Sequence, residues 1–282
     1  FAVLFAAITL PTEVFAQASF SRNINASRKL RSVIVGGSGN QIFSNTVTAT
    51  IGGGQQNVAS APGAVVAGGY NNTANNDQST VSGGYNNQAR GHHSTVGGGS
   101  SNDAGTDYST VPGGVKCRAM HPGTFVWSGD SSEFTDSFAE NSFTVRAEGG
   151  VRFYTANGTG IGAFLGPSGS WQVASDSNLK TKVTAVDPRV ILSKVAAMPV
   201  TEWEYKALPN RRYIGPMAQD FHATFGLGYD DKSISTLDSD GVMYAAIKGL
   251  VEELKDRDKT IEELKMKLES VEQRLDSLPP AP

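Results

Sequence analysis

Six times between residues 32 and 119 the chain returns to one short pattern. Aligned on glycine pairs, the units read VGGSGNQI, GGGQQNVA, AGGYNNTA, SGGYNNQA, GGGSSNDA and PGGVKCRA. The first glycines are Gly36, Gly53, Gly68, Gly83, Gly98 and Gly113, so after one seventeen-residue step the period is fifteen. Four further columns stay in phase. Two residues before each pair sit Ile34, Ile51, Val66, Val81, Val96 and Val111, and four before it sit Ser32, Ala49, Ala64, Ser79, Ser94 and Ser109. Four after the first glycine sit Asn40, Asn57, Asn72, Asn87, Asn102 and then Cys117; six after it sit Ile42, Ala59, Ala74, Ala89, Ala104 and Ala119.

A linker has no reason to keep an aliphatic residue in register, whereas stacked turns do. A small and a β-branched residue two apart point the same way on a strand. The glycine pair supplies positive φ for a turn. The asparagine either takes a left-handed conformation or hydrogen-bonds along a ladder of turns. These columns predict a β-solenoid over 32–119. Its core is thin, and one coil of fifteen residues buries little apolar surface against the entropy of ordering it. Threefold self-association is the expected remedy. The repeats resemble the left-handed parallel β-roll heads of YadA-like trimeric autotransporter adhesins.

Residues 120–174 read as a β neck or stalk, with strands signalled by Phe125/Trp127, Phe143/Val145/Ala147 and Val151/Phe153. His92 and His93 are adjacent in a repeat loop, which suits solvated side chains rather than a metal pair, and no cofactor is expected. Cys117 is the single cysteine, which excludes an intrachain disulfide and suggests a small buried residue.

The start of the chain, FAVLFAAITLPTEVFAQA, is apolar and ends in small residues. Residues 1–18 therefore read as the back half of a secretory signal peptide, with Ala16 and Ala18 as cleavage candidates, followed by a linker over 19–31. This points to a secreted or cell-surface bacterial protein. The run is too short to span a bilayer. The net charge of −3 predicts no nucleic-acid partner.

Charge density changes near residue 174. Residues 1–174 hold nine Lys/Arg and nine Asp/Glu; the shorter 175–282 holds fifteen and eighteen. Ile191, Leu192, Val195 and Met198 have helical spacing, Pro199 ends it, and VTEWEYK alternates as a strand. A long helix follows. Met243, Ile247, Leu250, Leu254, Arg257, Ile261, Leu264, Leu268, Val271, Leu275 and Leu278 alternate by four and three, a heptad seam with one charged break. The terminal PPAP ends it.

SDSNLK at Ser175–Lys180, IGPMAQD at Ile214–Asp220, DGVMYAAIKGLVEELK and the terminal heptads together resemble a known family. It is the C-terminal intramolecular chaperone, or autoprocessing peptidase, domain of endosialidases and phage tail spikes, found also in bacterial tail fibre proteins and in the myelin regulatory factor. The resemblance spans residues 175–282. It implies a small α/β chaperone domain over 175–240 and a trimeric coiled-coil helix over 241–278, with 279–282 as a tail. It also implies a homotrimer that folds a β-rich fibre and then cuts itself before the serine. Carried over, the scissile bond is Ala174–Ser175, the nucleophile Ser175 and the basic partner Lys180, with Asp176 and Gln219 as candidate supporting residues.

A serine hydroxyl needs a base, and lysine serves only when its surroundings favour the neutral amine. Five residues apart on one helix, the two side chains would miss each other. The pair requires a bend, and Asp176 and Asn178 are suited to one. Four functions remain open from the sequence: a self-cleaving trimeric adhesin-like fibre binding a glycan or protein; an adhesin with an uncut trimerisation module; a phage or prophage tail fibre; and a polysaccharide-cleaving spike, for which no carboxylate pair stands out.

Overall fold

The computed structural model describes residues 24–25, 31–43, 46–130, 132–155 and 162–276. The signal-like segment and nearly all of the expected linker lie outside them. The chain divides into two compact units, Phe1–Ser175 and Asp176–Pro282.

The first unit is a β-solenoid made of two eight-stranded parallel sheets. One sheet stacks Val33–Ile34, Thr50–Ile51, Val65–Val66, Thr80–Val81, Thr95–Val96, Thr110–Val111, Phe125–Ser128 and Phe143–Arg146. The other begins at Ile24–Asn25 and runs through the short strands carrying Ile42, Ala59, Ala74, Ala89, Ala104 and Ala119 to Thr135–Asp136. Register is strict: Val66 pairs with Val81, Val81 with Val96, and Val96 with Val111.

Most strands are only two residues long because the corners use the rest of each rung. The second glycine of each pair has φ between 79° and 94° from Gly54 to Gly114. A Cβ there would also collide with backbone of the next rung, at the Gly69 carbonyl for Gly54 and the Gly84 carbonyl for Gly69. Two other corners are left-handed without glycine. Gln56, Asn71, Asn86, Ser101 and Lys116 stand just before the column of asparagines and Cys117, and Gln78, His93 and Tyr108 just before the column of small residues.

The buried asparagines form a ladder rather than taking the left-handed conformation themselves. Asn72 Nδ2 donates to the Gly68 carbonyl of its own rung and the Gly84 carbonyl of the next, each at 2.9 Å. Its Oδ1 accepts the Asn87 N–H at 3.0 Å. Asn40, Asn57, Asn87 and Asn102 repeat the arrangement. Cys117 ends it: its N–H still donates to Asn102 Oδ1, but its thiol lies 3.7 Å from the Gly113 and Val115 carbonyls. Burial pushes the Cys117 thiol pKa up, and the sulfur contacts to backbone only partly oppose this.

One expectation needs correction. The solenoid does not stop at residue 119. Thr124 and Val126 continue the small and aliphatic columns fifteen residues after Ser109 and Val111, and Val126 is fully buried. The sheets run on to Arg146, and a separate antiparallel sheet of Val151–Tyr154, Gly162–Leu165 and Trp171–Val173 follows. The extra rungs carry no glycine pair, so the repeat fades while the fold persists. The interior closes within one chain. Ile51, Val66, Val81, Val96, Val111 and Val126 are all at 0% exposure beside buried alanines.

In the second unit, helix α1 (Pro188–Ala197) is capped by Asp187, whose carboxylate accepts the Arg189 N–H at 2.9 Å. An antiparallel hairpin of Thr201–Tyr205 and Leu208–Gly215 follows, then helix α2 (Ala218–Phe225) and helix α3 (Thr236–Asp276). Gly249 lets α1 and α3 approach closely; a Cβ there would strike the Pro188 carbonyl and lie 3.0 Å from Leu192 Cβ.

Replacing Asn87 by alanine strands the Asn102 N–H and the Gly83 carbonyl, and leaves the Gly99 carbonyl with the Tyr85 N–H alone. Each buried group left unpaired costs about 1–3 kcal/mol. A loss of about 2–4 kcal/mol is expected in a denaturant titration. Cys117 should resist a maleimide probe in the folded protein and react once the solenoid is unfolded.

Candidate functional site

The boundary between the two units falls immediately after Ser175. The strand Trp171–Val173 leads into it, and Asp176 then opens a single 3₁₀ turn over Ser177–Leu179. Asp176 Oδ1 accepts from the Asn178 backbone N–H at 2.8 Å and its side-chain amide at 2.9 Å. The Leu179 N–H donates to the Asp176 carbonyl and the Lys180 N–H to the Ser177 carbonyl, both at 3.1 Å. Lys180 leaves the turn extended, with φ −112° and ψ 143°.

A bend therefore separates Ser175 from Lys180, built by the two residues suited to it. Asp176 is occupied in making that turn. Ala174, Ser175 and Lys180 are exposed in the single chain. A cavity of about 490 Å³ opens beside Ala174, walled by residues of the three-stranded sheet that include Phe153, Phe164 and Val173. Among the described residues, no group of His, Cys, Asp and Glu is arranged to hold a metal ion. His93 instead stacks on Tyr108 with ring centroids 5.4 Å apart.

Gln219 belongs to a different element, the first turn of α2, where its side chain is exposed. Asp220 is its neighbour, and its charge suits the positive end of that helix, whose Met217 cap offers no side-chain acceptor. The IGPMAQD segment thus ends a strand and starts a helix.

The residues that organise the second unit gave weaker signals. Arg189 bridges α1 to α3, reaching Asp256 at 2.6 Å and Glu252 at 3.3 Å. Lys194 Nζ donates to the Thr224 carbonyl at 2.9 Å, tying α1 to α2. Trp203 and Tyr213 stack across the hairpin at 4.7 Å, with Tyr205 edge-on to both. The first two links join residues distant in sequence, and of the third only the alternation of Trp203 and Tyr205 within VTEWEYK is a local sequence signal.

Helix α3 carries two stripes. Val242, Ala245, Ala246 and Gly249 are buried, at the spacing of one helical face. The heptad seam is a different stripe. From Met243 to Leu275 its nine apolar members, Ile247, Leu250, Leu254, Ile261, Leu264, Leu268 and Val271 among them, are 48–60% exposed. Leu278 lies outside the described residues. The helix uses its small face within its own unit and leaves its large apolar face bare.

Enlarging Gly249 to leucine should break the α1–α3 contact at a cost of about 2–3 kcal/mol, by overpacking. Differential scanning calorimetry would show a lowered transition for the second unit and an unchanged one for the solenoid.

No curated protein matches this chain. The family described as chaperone of endosialidase, a peptidase S74 family, matches residues 175–226, from the exposed serine to the end of α2. That similarity supports a chaperone domain of the trimerising, autoprocessing type over this part of the chain.

Proposed function

We propose that this chain is a secreted, trimeric, adhesin-like surface fibre whose second unit aligns three copies and then releases itself by cutting between Ala174 and Ser175. The observation that carries the reading is the bare heptad seam of α3. Nine large apolar side chains on one helix face, exposed from Met243 to Leu275, favour association with identical seams. Secretion rests on the apolar, small-ended pattern of residues 1–18.

In the proposed reaction, Ser175 Oγ attacks the carbonyl carbon of Ala174 while Lys180, as a neutral amine, accepts the hydroxyl proton. The carbon–nitrogen bond breaks as the Ser175 nitrogen takes up that proton. An ester then joins Ala174 to Ser175 Oγ. Water hydrolyses it, leaving a carboxylate on Ala174 and a free amine on Ser175. Lysine needs burial or a nearby cation to be neutral at physiological pH. Lys180 is exposed in one chain, so assembly is what would cover it. Cutting would then follow trimerisation and mark its completion.

The stacked rungs explain why such a clamp is useful. Each strand pairs only with strands fifteen or more residues away, and non-local pairing of this kind is slow to nucleate. A tail that aligns three chains reduces the search. Once it leaves, persistence of the fibre depends on a high barrier to unfolding.

Mass spectrometry of wild type should give a fragment beginning at Ser175, and Ser175→Ala and Lys180→Gln should remain whole. Hydroxylamine should accelerate release by attacking the ester. The double variant Leu254→Asp/Leu264→Asp should stay monomeric and lose at least tenfold in cutting rate. A wild-type trimer that never cuts would establish the uncleaved-module reading instead.

A further inference from the structure

Cutting at Ala174–Ser175 would separate the α3 seam from the solenoid. Copies that remain associated afterwards need an interface made wholly before residue 175. The solenoid interior cannot provide it, because that interior is already closed within one chain.

The three-stranded sheet can. Its register places Val151 opposite Leu165, Phe153 opposite Ala163, Ala163 opposite Val173, and Leu165 opposite Trp171. Directly opposed residues share a face. One face therefore consists of Val151, Phe153, Ala163, Leu165, Trp171 and Val173, with no polar side chain. The other carries Arg152, Tyr154, Phe164 and Gln172, and the Arg152 guanidinium lies 4.8 Å from the centre of the Phe164 ring. Phe153, Trp171 and Val173 are 50%, 61% and 45% exposed. A small sheet of this kind needs one covered face to be stable.

The solenoid changes character towards the same end of its unit. The outward positions Thr80, Thr95 and Thr110 give way in register to Phe125 and Phe143, whose rings stack at 4.8 Å. Trp127 pairs with Val145 on that side of the same two strands.

We propose that the apolar face of the 151–173 sheet is the contact that holds copies of this chain together after the tail has gone. Its partner is the same face of a second and third copy. This rests on the trimer reading above. The seam would bring identical sheets together at high effective concentration, since Val173 ends two residues before the proposed new terminus. The face carries no charge, and the Trp171 indole N–H is its one side-chain hydrogen-bonding group, so little on it would select a foreign protein; closed symmetric assemblies of one chain are the common outcome.

The test does not depend on self-cutting. A site-specific protease sequence is inserted between Ala174 and Ser175 of the full chain carrying Ser175→Ala, and mass is followed by light scattering before and after protease addition. The expected result is a trimer before cutting and a trimeric body after it. With Phe153→Lys/Trp171→Lys the uncut chain should remain trimeric through its tail and the cut body should fall to one third of the mass. Arg152→Ser/Gln172→Ser, on the opposite face, should leave the cut body trimeric. Cys117 inaccessible to maleimide confirms an intact solenoid in each; should the lysine pair expose it, Phe153→Ser/Trp171→Ser gives the same readout. A trimeric full chain whose unaltered body separates on cutting overturns this inference alone, as does a body that stays trimeric despite the altered face. A full chain monomeric before cutting overturns the trimer reading and this inference together.

Discussion

Each buried asparagine of the solenoid binds two carbonyls and a neighbouring N–H, and the rest of the roll follows from satisfying those groups. The side chain spans from its own glycine turn to the next, so it fixes both the spacing and the register of adjacent rungs. To receive it, the second glycine must turn left-handed against the backbone above, where a Cβ has no room. Once the corners are set, two residues per strand are enough. Valine and alanine then fill what remains of the interior. A core this thin is adequate because hydrogen bonds, rather than bulk, carry specificity from one turn to the next. Buried polar groups that are all paired can do this; one missing partner would make them a liability.

Apolar surface is distributed unevenly along the chain. From Ile51 to Val126 the solenoid hides its aliphatic column entirely. The second unit and the sheet before it do the reverse, presenting large side chains that nothing in one copy covers. Helix α3 shows why both conditions can exist in one element. Its small residues allow the close approach to α1, and the large ones, rotated around the helix, stay exposed. The large apolar surface left uncovered thus lies in the tail and its junction, while the roll fills its interior with its own residues.

Much of the solenoid was legible because its constraints repeat. Each column has a single physical job, and six copies of the job make it visible. What escaped was the part that performs the same job once or with different residues. Val126 lies between Phe125 and Trp127, whose large outward rings mask the inward aliphatic position in the sequence pattern. The left-handed corners at Gln78, His93 and Tyr108 share no residue type, since several side chains tolerate that conformation. In the second unit the bend after Ser175 was anticipated from Asp176 and Asn178, whose bonds are local. The Arg189 bridge and the Gly249 contact join positions about sixty residues apart, and neither carries a local sequence signature.

Because the strand–strand bonds of the solenoid, and two of the three bonds of each ladder asparagine, run from one rung to the next, tension applied along the stack would load a single rung at a time. Such a stack would peel rather than shear. Each rung that yields would pay out about fifteen residues, on the order of 50 Å of slack. Beyond Cys117 the asparagine ladder is absent, and the four-residue pairing of Phe125–Ser128 with Phe143–Arg146 bears the load in its place. A fibre built this way would absorb a pull in steps, extending while its remaining rungs keep their shape.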